Sequence, residues 1–182
     1  YLTATSLGWL FQASPVEAYQ YTDLFAFFFA GLSIYLFMKA IGNSRFSSLV
    51  SAVLYMLSPQ TLYGRFFIGH FTHNFSIFLI PLTLLFIVKY GGSLRRTALV
   101  TAPLFAMLFL SHLQTALSFG FMLSIYFFFK IIIGGRMESP EHIRIHLLGL
   151  LLGGALGASL ASFWLFPSLL EGSGRLGLTV EA

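Results

Sequence analysis

The chain has 182 residues; 57% are hydrophobic, 9% are charged and the mean hydropathy is +0.85. A soluble domain carries roughly 25% charged residues and could not hide so much apolar surface, so the composition excludes a water-soluble globule and makes a bilayer the natural solvent. The net charge of +4 is spread over many short connections, which excludes a nucleic-acid footprint, and the lack of cysteine excludes disulfides and thiol catalysis.

Residues 1–13 are a short apolar piece, read as an interfacial segment or the end of a further span, and a start at Tyr1 reads as that of a fragment or trimmed chain. No cleavable signal pattern is visible. Ser14-Pro15-Val16-Glu17 is a capping box with proline at the first helical position. It predicts a helix to about Ile41, apolar from Leu24, and a span over 22–42. Gly42-Asn43-Ser44-Arg45 is a turn, and a second span covers 46–58, broken near Ser58-Pro59. A polar stretch follows, RFFIGHFTHNF at 65–75, and then a third span over 75–90 that ends at Gly91-Gly92-Ser93. Asn74 is placed to cap that third helix. From Thr97 to Ile133 lies one apolar run of 37 residues, interrupted only by Ser111-His112-Leu113-Gln114-Thr115. After a loop at 134–139, Ser139-Pro140 opens a last helix that runs to Phe166, with its span at 145–166.

The long run decides the topology. As one helix it would measure roughly 55 Å, against a hydrocarbon core of about 30 Å. Divided at His112 it becomes two spans, 97–111 and 114–133. Charge tests the division: with it, Lys39, Arg45, Lys89, Arg95, Arg96, Lys130, Arg136 and Arg144 fall on one side, and only Arg65 and Arg175 on the other. The positive-inside rule makes the crowded side cytoplasmic. The expected fold is therefore all-α: a polytopic bundle of about six spans in the plasma membrane, with both visible ends outside.

That topology sends Glu17, Asp23, the 65–75 stretch, His112, Gln114, Glu171 and Arg175 to the extracytoplasmic side. Ionisable groups at membrane depth face protein or water, so an outward-facing polar cavity is the expectation. Each group also has a plainer reading. His70 and His73 share a helix face if the helix continues; they are interfacial side chains beside Phe71 and Phe75, contacts for an anion or substrate, or metal ligands. No neighbouring carboxylate completes a metal set, and a divalent metal is left open as a cofactor. Arg65 meets lipid headgroups in general or forks onto one phosphate. His112 and Gln114 satisfy backbone groups at a helix junction or contact a ligand. Asp23 precedes a run of Leu, Phe and Ala where an unpaired carboxylate is costly. Glu17 is the acid of the capping box, and Glu171 is an external charge beside the turn at Gly172.

Gly149, Gly153, Gly157 and Ala161 recur every four residues, a stripe that lets another helix approach closely and reads as packing. Tyr19, Tyr55, Tyr63 and Trp164 fit an interfacial aromatic belt. No dinucleotide fingerprint, phosphate loop, zinc spacing or Ser/His/Asp set is present.

Short membrane helices, split hairpins and outward polar groups resemble the pattern of integral-membrane glycosyltransferases of the C-type fold. Three stretches narrow the likeness: Gly64–His70 leading to Leu79-Ile80-Pro81-Leu82; Leu110-Ser111-His112-Leu113-Gln114-Thr115-Ala116; and Phe163-Trp164-Leu165-Phe166-Pro167 followed by Glu171. Together they are similar to the membrane proteins labelled "6-pyruvoyl-tetrahydropterin synthase related"; nothing resembles the soluble pterin enzyme. The resemblance implies a transferase that takes a sugar from a polyprenyl-phosphate donor at the outer face. Arg65, His70, His73, His112, Gln114 and Glu171 would then contact substrate, with the Arg and His groups on the donor phosphate. The acid that serves such enzymes as base or metal ligand lies in a first external loop, which would precede residue 1; within this chain Asp23 is the candidate, with Glu17 beside it. Two other classes stay open: a transporter or lipid-handling protein, and a packing subunit that uses the glycine stripe as its contact.

The reversal at His112 is directly testable, since the chain has no native cysteine. Single cysteines at Ser93→Cys and Met137→Cys should react with an impermeant maleimide from the same side of sealed vesicles. Labelling from opposite sides would remove the reversal.

Overall fold

The computed structural model describes residue 12 and residues 14–63, 71–134 and 139–167, and among them there are helices and turns but no strand. The helices are α1 (Pro15–Ala40), α2 (Arg45–Met56), α3 (Pro59–Tyr63), α4 (Phe71–Tyr90), α5 (Leu94–Ser111), α6 (Leu113–Gly134) and α7 (Pro140–Leu160). By length and composition, Val16–Ala40, Leu94–Ser111, Leu113–Ile132 and Glu141–Leu160 can each cross a membrane, and Phe75–Tyr90 is a shorter apolar helix. Phe46 and Phe121 are 77% and 69% exposed, as suits side chains solvated by lipid. The chain divides into two compact units, 1–88 and 89–182.

In the first unit the capping box forms as the sequence predicts. Ser14 N–H donates to Glu17 Oε2 at 2.8 Å, and Glu17 N–H donates to Ser14 Oγ at 3.4 Å. The helix is capped by Ile41 and the chain turns at Gly42, whose φ of +92° is open to glycine but strained for other residues. Ser44 caps α2 by accepting from Ser47 N–H at 3.1 Å. α2 returns along α1: a Cβ on Gly31 would strike Met56 Sδ, and these two residues stand nearly equal distances from the turn. The buried face of α1 is Ala18, Thr22, Ala26 and Ala30 at four-residue spacing, with Ser33 three residues on, a second small-residue stripe.

α4 starts at Phe71, earlier than expected, so Asn74 is an internal helical residue and not the cap. Its interior Pro81 has no N–H to give, which leaves the carbonyl of Ile77 without its usual i+4 donor. Tyr55 of α2 supplies the missing donor, its hydroxyl reaching Ile77 O at 2.8 Å. Tyr55 is thus an interhelical tie inside the unit and does not use its hydroxyl as a belt residue would.

In the second unit, α5 and α7 run parallel in close contact. Cβ atoms built on Gly149 and Gly157 would lie 2.9 Å from Thr97 Cβ and 2.7 Å from Phe105 Cβ, and one on Gly153 would overlap Thr101 Oγ1. The pairs 149 on 97, 153 on 101 and 157 on 105 are each 52 residues apart, which fixes both direction and register. Thr97 and Thr101 can be buried here because their hydroxyls donate to Tyr90 O at 2.7 Å and Thr97 O at 2.8 Å. α6 lies between the two in sequence and runs the other way. Phe105 and Phe119, each seven residues from His112, have ring centroids 6.2 Å apart; in one continuous helix their backbones would be about 21 Å apart. Phe127 packs on His146 at 5.3 Å, one turn before Gly149, so Phe127 lies within about one turn of Thr97, and both are 15 residues from His112. The chain therefore reverses at His112. The last helix stops at Leu160 with Ala161 as cap, short of Phe166, and separate helical turns cover 162–167.

Two substitution series test this packing. Gly157→Ala should lower stability by about 1–3 kcal/mol, because its methyl would lie 2.8 Å from the Ala102 carbonyl, which cannot rotate away. Gly154→Ala on the same helix, with nothing within 4 Å, should be neutral or stabilising in the same detergent melts. Tyr55→Phe should cost about 1–3 kcal/mol by stranding the Ile77 carbonyl. In a Pro81→Ala background the helix regains its own donor, so the same change should cost distinctly less; additivity of the two would rule out the tie.

Candidate functional site

His112 stands alone between two helices. It is the C-cap of α5 in an extended conformation, with φ −158° and ψ 100°, and its N–H still donates to Leu108 O at 3.1 Å. Its carbonyl opens α6 by accepting from Ala116 N–H at 3.0 Å. The half-buried imidazole folds over the first turn of α6. Nδ1 accepts from Thr115 N–H at 3.2 Å and lies 2.7 Å from Thr115 Oγ1. A backbone N–H can only donate, so Nδ1 is the acceptor, and in the neutral ring the proton sits on Nε2. His112 therefore does the work of an N-cap serine. Gln114 lies exposed in the same turn.

The second unit is electrically polarised along its axis. Lys89, Arg95, Arg96, Lys130, Glu141 and Arg144 are its charged residues among those described, and all lie at the end away from His112. Lys130 is level with Leu94, because both are 18 residues from His112, and Arg144 is level with Gly92 in the α5–α7 register. At 1.5 Å per residue, about 25 Å separates this end from the imidazole. The His112 end holds neutral polar groups instead. An open hollow of about 380 Å³ at that end of α7 is lined by Ala158, Ser159, Ser162, Leu165 and Phe166. The first unit is polarised likewise: Lys39 and Arg45 flank the α1–α2 turn, where Lys39 Nζ donates to Asn43 O at 3.3 Å, and Glu17 and Asp23 lie toward the other end of α1.

The predicted site residues fall unevenly on this frame. His112 and Gln114 come together in one turn, and Asp23, half-buried on α1, belongs to the other unit. His73 lies in the first turn of α4; Arg65, His70 and Glu171 lie outside the described residues. Among the described residues no three His, Cys, Asp or Glu side chains gather to hold a metal. Thr115 was not singled out from the sequence, although its place three residues after His112 is where a cap finds its partner. The glycine stripe is consumed between α5 and α7, as its packing reading requires, and so is not left over as a contact for another subunit.

No curated protein and no solved structure is significantly similar to the chain. The family model described as "6-pyruvoyl-tetrahydropterin synthase related domain; membrane protein" matches residues 1–178. With nearly its whole length matched, the chain belongs to this family of membrane proteins.

Proposed function

We propose that this membrane protein is a glycosyltransferase that uses a polyprenyl-phosphate-linked sugar and works at the extracytoplasmic face of the plasma membrane from a C-type-like, six-span scaffold. The observation that carries the reading is the position of His112: a capping imidazole at a chain reversal, at the end of its unit opposite every described charge of that unit. By the positive-inside rule the charged end faces the cytoplasm, which turns His112 outward. In the reaction the acceptor hydroxyl oxygen bonds to the anomeric carbon, the bond from that carbon to the phosphate oxygen breaks, and polyprenyl phosphate leaves. Departure is eased when donors meet the developing phosphate charge. His112 and the Gln114 amide are suited to that role, with Arg65, His70 and His73 as further phosphate contacts and Glu171 as a further substrate contact. Asp23 is the acid proposed to take the hydroxyl proton.

A transporter reading has less support. α4 and α5 continue through Pro81 and Pro103 without interruption, whereas transport sites favour helices broken at the midplane.

His112→Asn separates a cap from a ligand. Asparagine is among the best N-caps and can reproduce the Nδ1 contact, but it cannot reach where Nε2 stands. The variant should melt within about 0.5 kcal/mol of the parent and lose lipid-linked sugar turnover by about 10²-fold. Full turnover in His112→Asn would reduce His112 to a cap and defeat the proposal. Loss of substrate flux in proteoliposomes without any transfer activity in the parent would favour the transporter.

A further inference from the structure

We propose that the charged end of the second unit binds an anionic phospholipid with a hydroxylated headgroup, of the phosphatidylglycerol kind, at the start of α7. An open hollow of about 550 Å³ lies there, lined among the described residues by Glu141, Arg144, Ile145 and Leu148. These four lie at i, i+3, i+4 and i+7 on one helix face, and the chemistry changes along it in the order a lipid requires. Arg144, exposed, offers a guanidinium fork that matches a phosphodiester. Ile145 and Leu148 form an apolar wall one turn deeper, and Leu151 and Leu152, 61% and 44% exposed, extend it as a track for an acyl chain.

Glu141 narrows the choice. Its carboxylate repels a bare phosphate dianion but accepts hydrogen bonds from headgroup hydroxyls, which selects a singly charged phosphodiester over free phosphate or phosphatidic acid. Lys89, Arg95, Arg96 and Lys130 share this end, and Glu141 is the one acid among the described residues of the unit. Their field favours an anionic headgroup over a zwitterionic one. The inference rests on the bilayer setting and the charge distribution, and it stands independently of sugar transfer.

The test uses the purified full chain in phosphatidylcholine nanodiscs doped with phosphatidylglycerol, phosphatidylethanolamine or phosphatidic acid, read by native mass spectrometry of retained lipid and by melting temperature. Phosphatidylglycerol should be retained preferentially and raise the melting temperature. Arg144→Gln should weaken retention about fivefold, the loss of one basic contact at a membrane surface, with melting in pure phosphatidylcholine unchanged. Glu141→Gln should shift selectivity from phosphatidylglycerol toward phosphatidic acid. Equal retention of phosphatidylethanolamine, indifference to Arg144→Gln, or equal stabilisation by soluble glycerol phosphate would each overturn the proposal.

Discussion

The close approach of α5 and α7 is the constraint on which the second unit depends. Lipid offers no hydrophobic drive for two apolar helices to associate, so contact must come from van der Waals fit and internal hydrogen bonding. Gly149, Gly153 and Gly157 remove the side chains that would hold the axes apart, and Thr97, Thr101 and Phe105 fill the space. The threonine hydroxyls are already bonded to backbone carbonyls, so they enter the seam without a polar cost. With α5 and α7 parallel, the connecting helix has to run back between their ends. The reversal at His112 follows from that geometry as much as from its local sequence.

The same rule, that lipid leaves no backbone group for water to satisfy, shapes the first unit. Thr22, Ser48 and Thr83 turn their hydroxyls onto carbonyls four residues earlier, that of the cap Ser44 in the case of Ser48. Pro81 breaks that self-sufficiency at Ile77, and a tyrosine on a neighbouring helix restores it. A defect in one helix thereby becomes a specific contact with another. Histidine at position 112 is a related case: the ring nitrogen that could have served as a base is spent on holding the start of α6.

Much of this was legible in the sequence because the determinants are local. The capping box at Ser14, the glycine turn at 42, the cap at Ser139 and the break at His112 each depend on residues within one turn of one another. The period-four stripe in α7 was legible because glycine stands out among leucines. Its counterpart in α1, built from Ala18, Thr22, Ala26, Ala30 and Ser33, was not, since alanine and threonine are unremarkable between phenylalanines. The Tyr55 tie could not be seen, because it joins residues 22 apart through a bond that only packing reveals. The cap at Ala161 is not legible, because Phe163 to Phe166 continue the apolar pattern past it and the chain is helical again over 162–167. Of the candidate site, the sequence marks the turn of chain at His112 and Gln114 and leaves out Thr115, whose contact needs the fold of the imidazole to be known.

A repeat of four residues has an ambiguity built into it, since sliding α7 by one turn would again set glycines against threonines. The residues at either end of the run remove it. Moved one way, Ala161 would carry its methyl into the place beside Phe105 where even the Cβ on Gly157 would be only 2.7 Å from a neighbour. Moved the other way, Ile145 would have to enter the gap at Thr97 that admits only a hydrogen atom. Three vacancies bounded by two obstacles thus act as a vernier, and the helix has one depth at which it can come to rest.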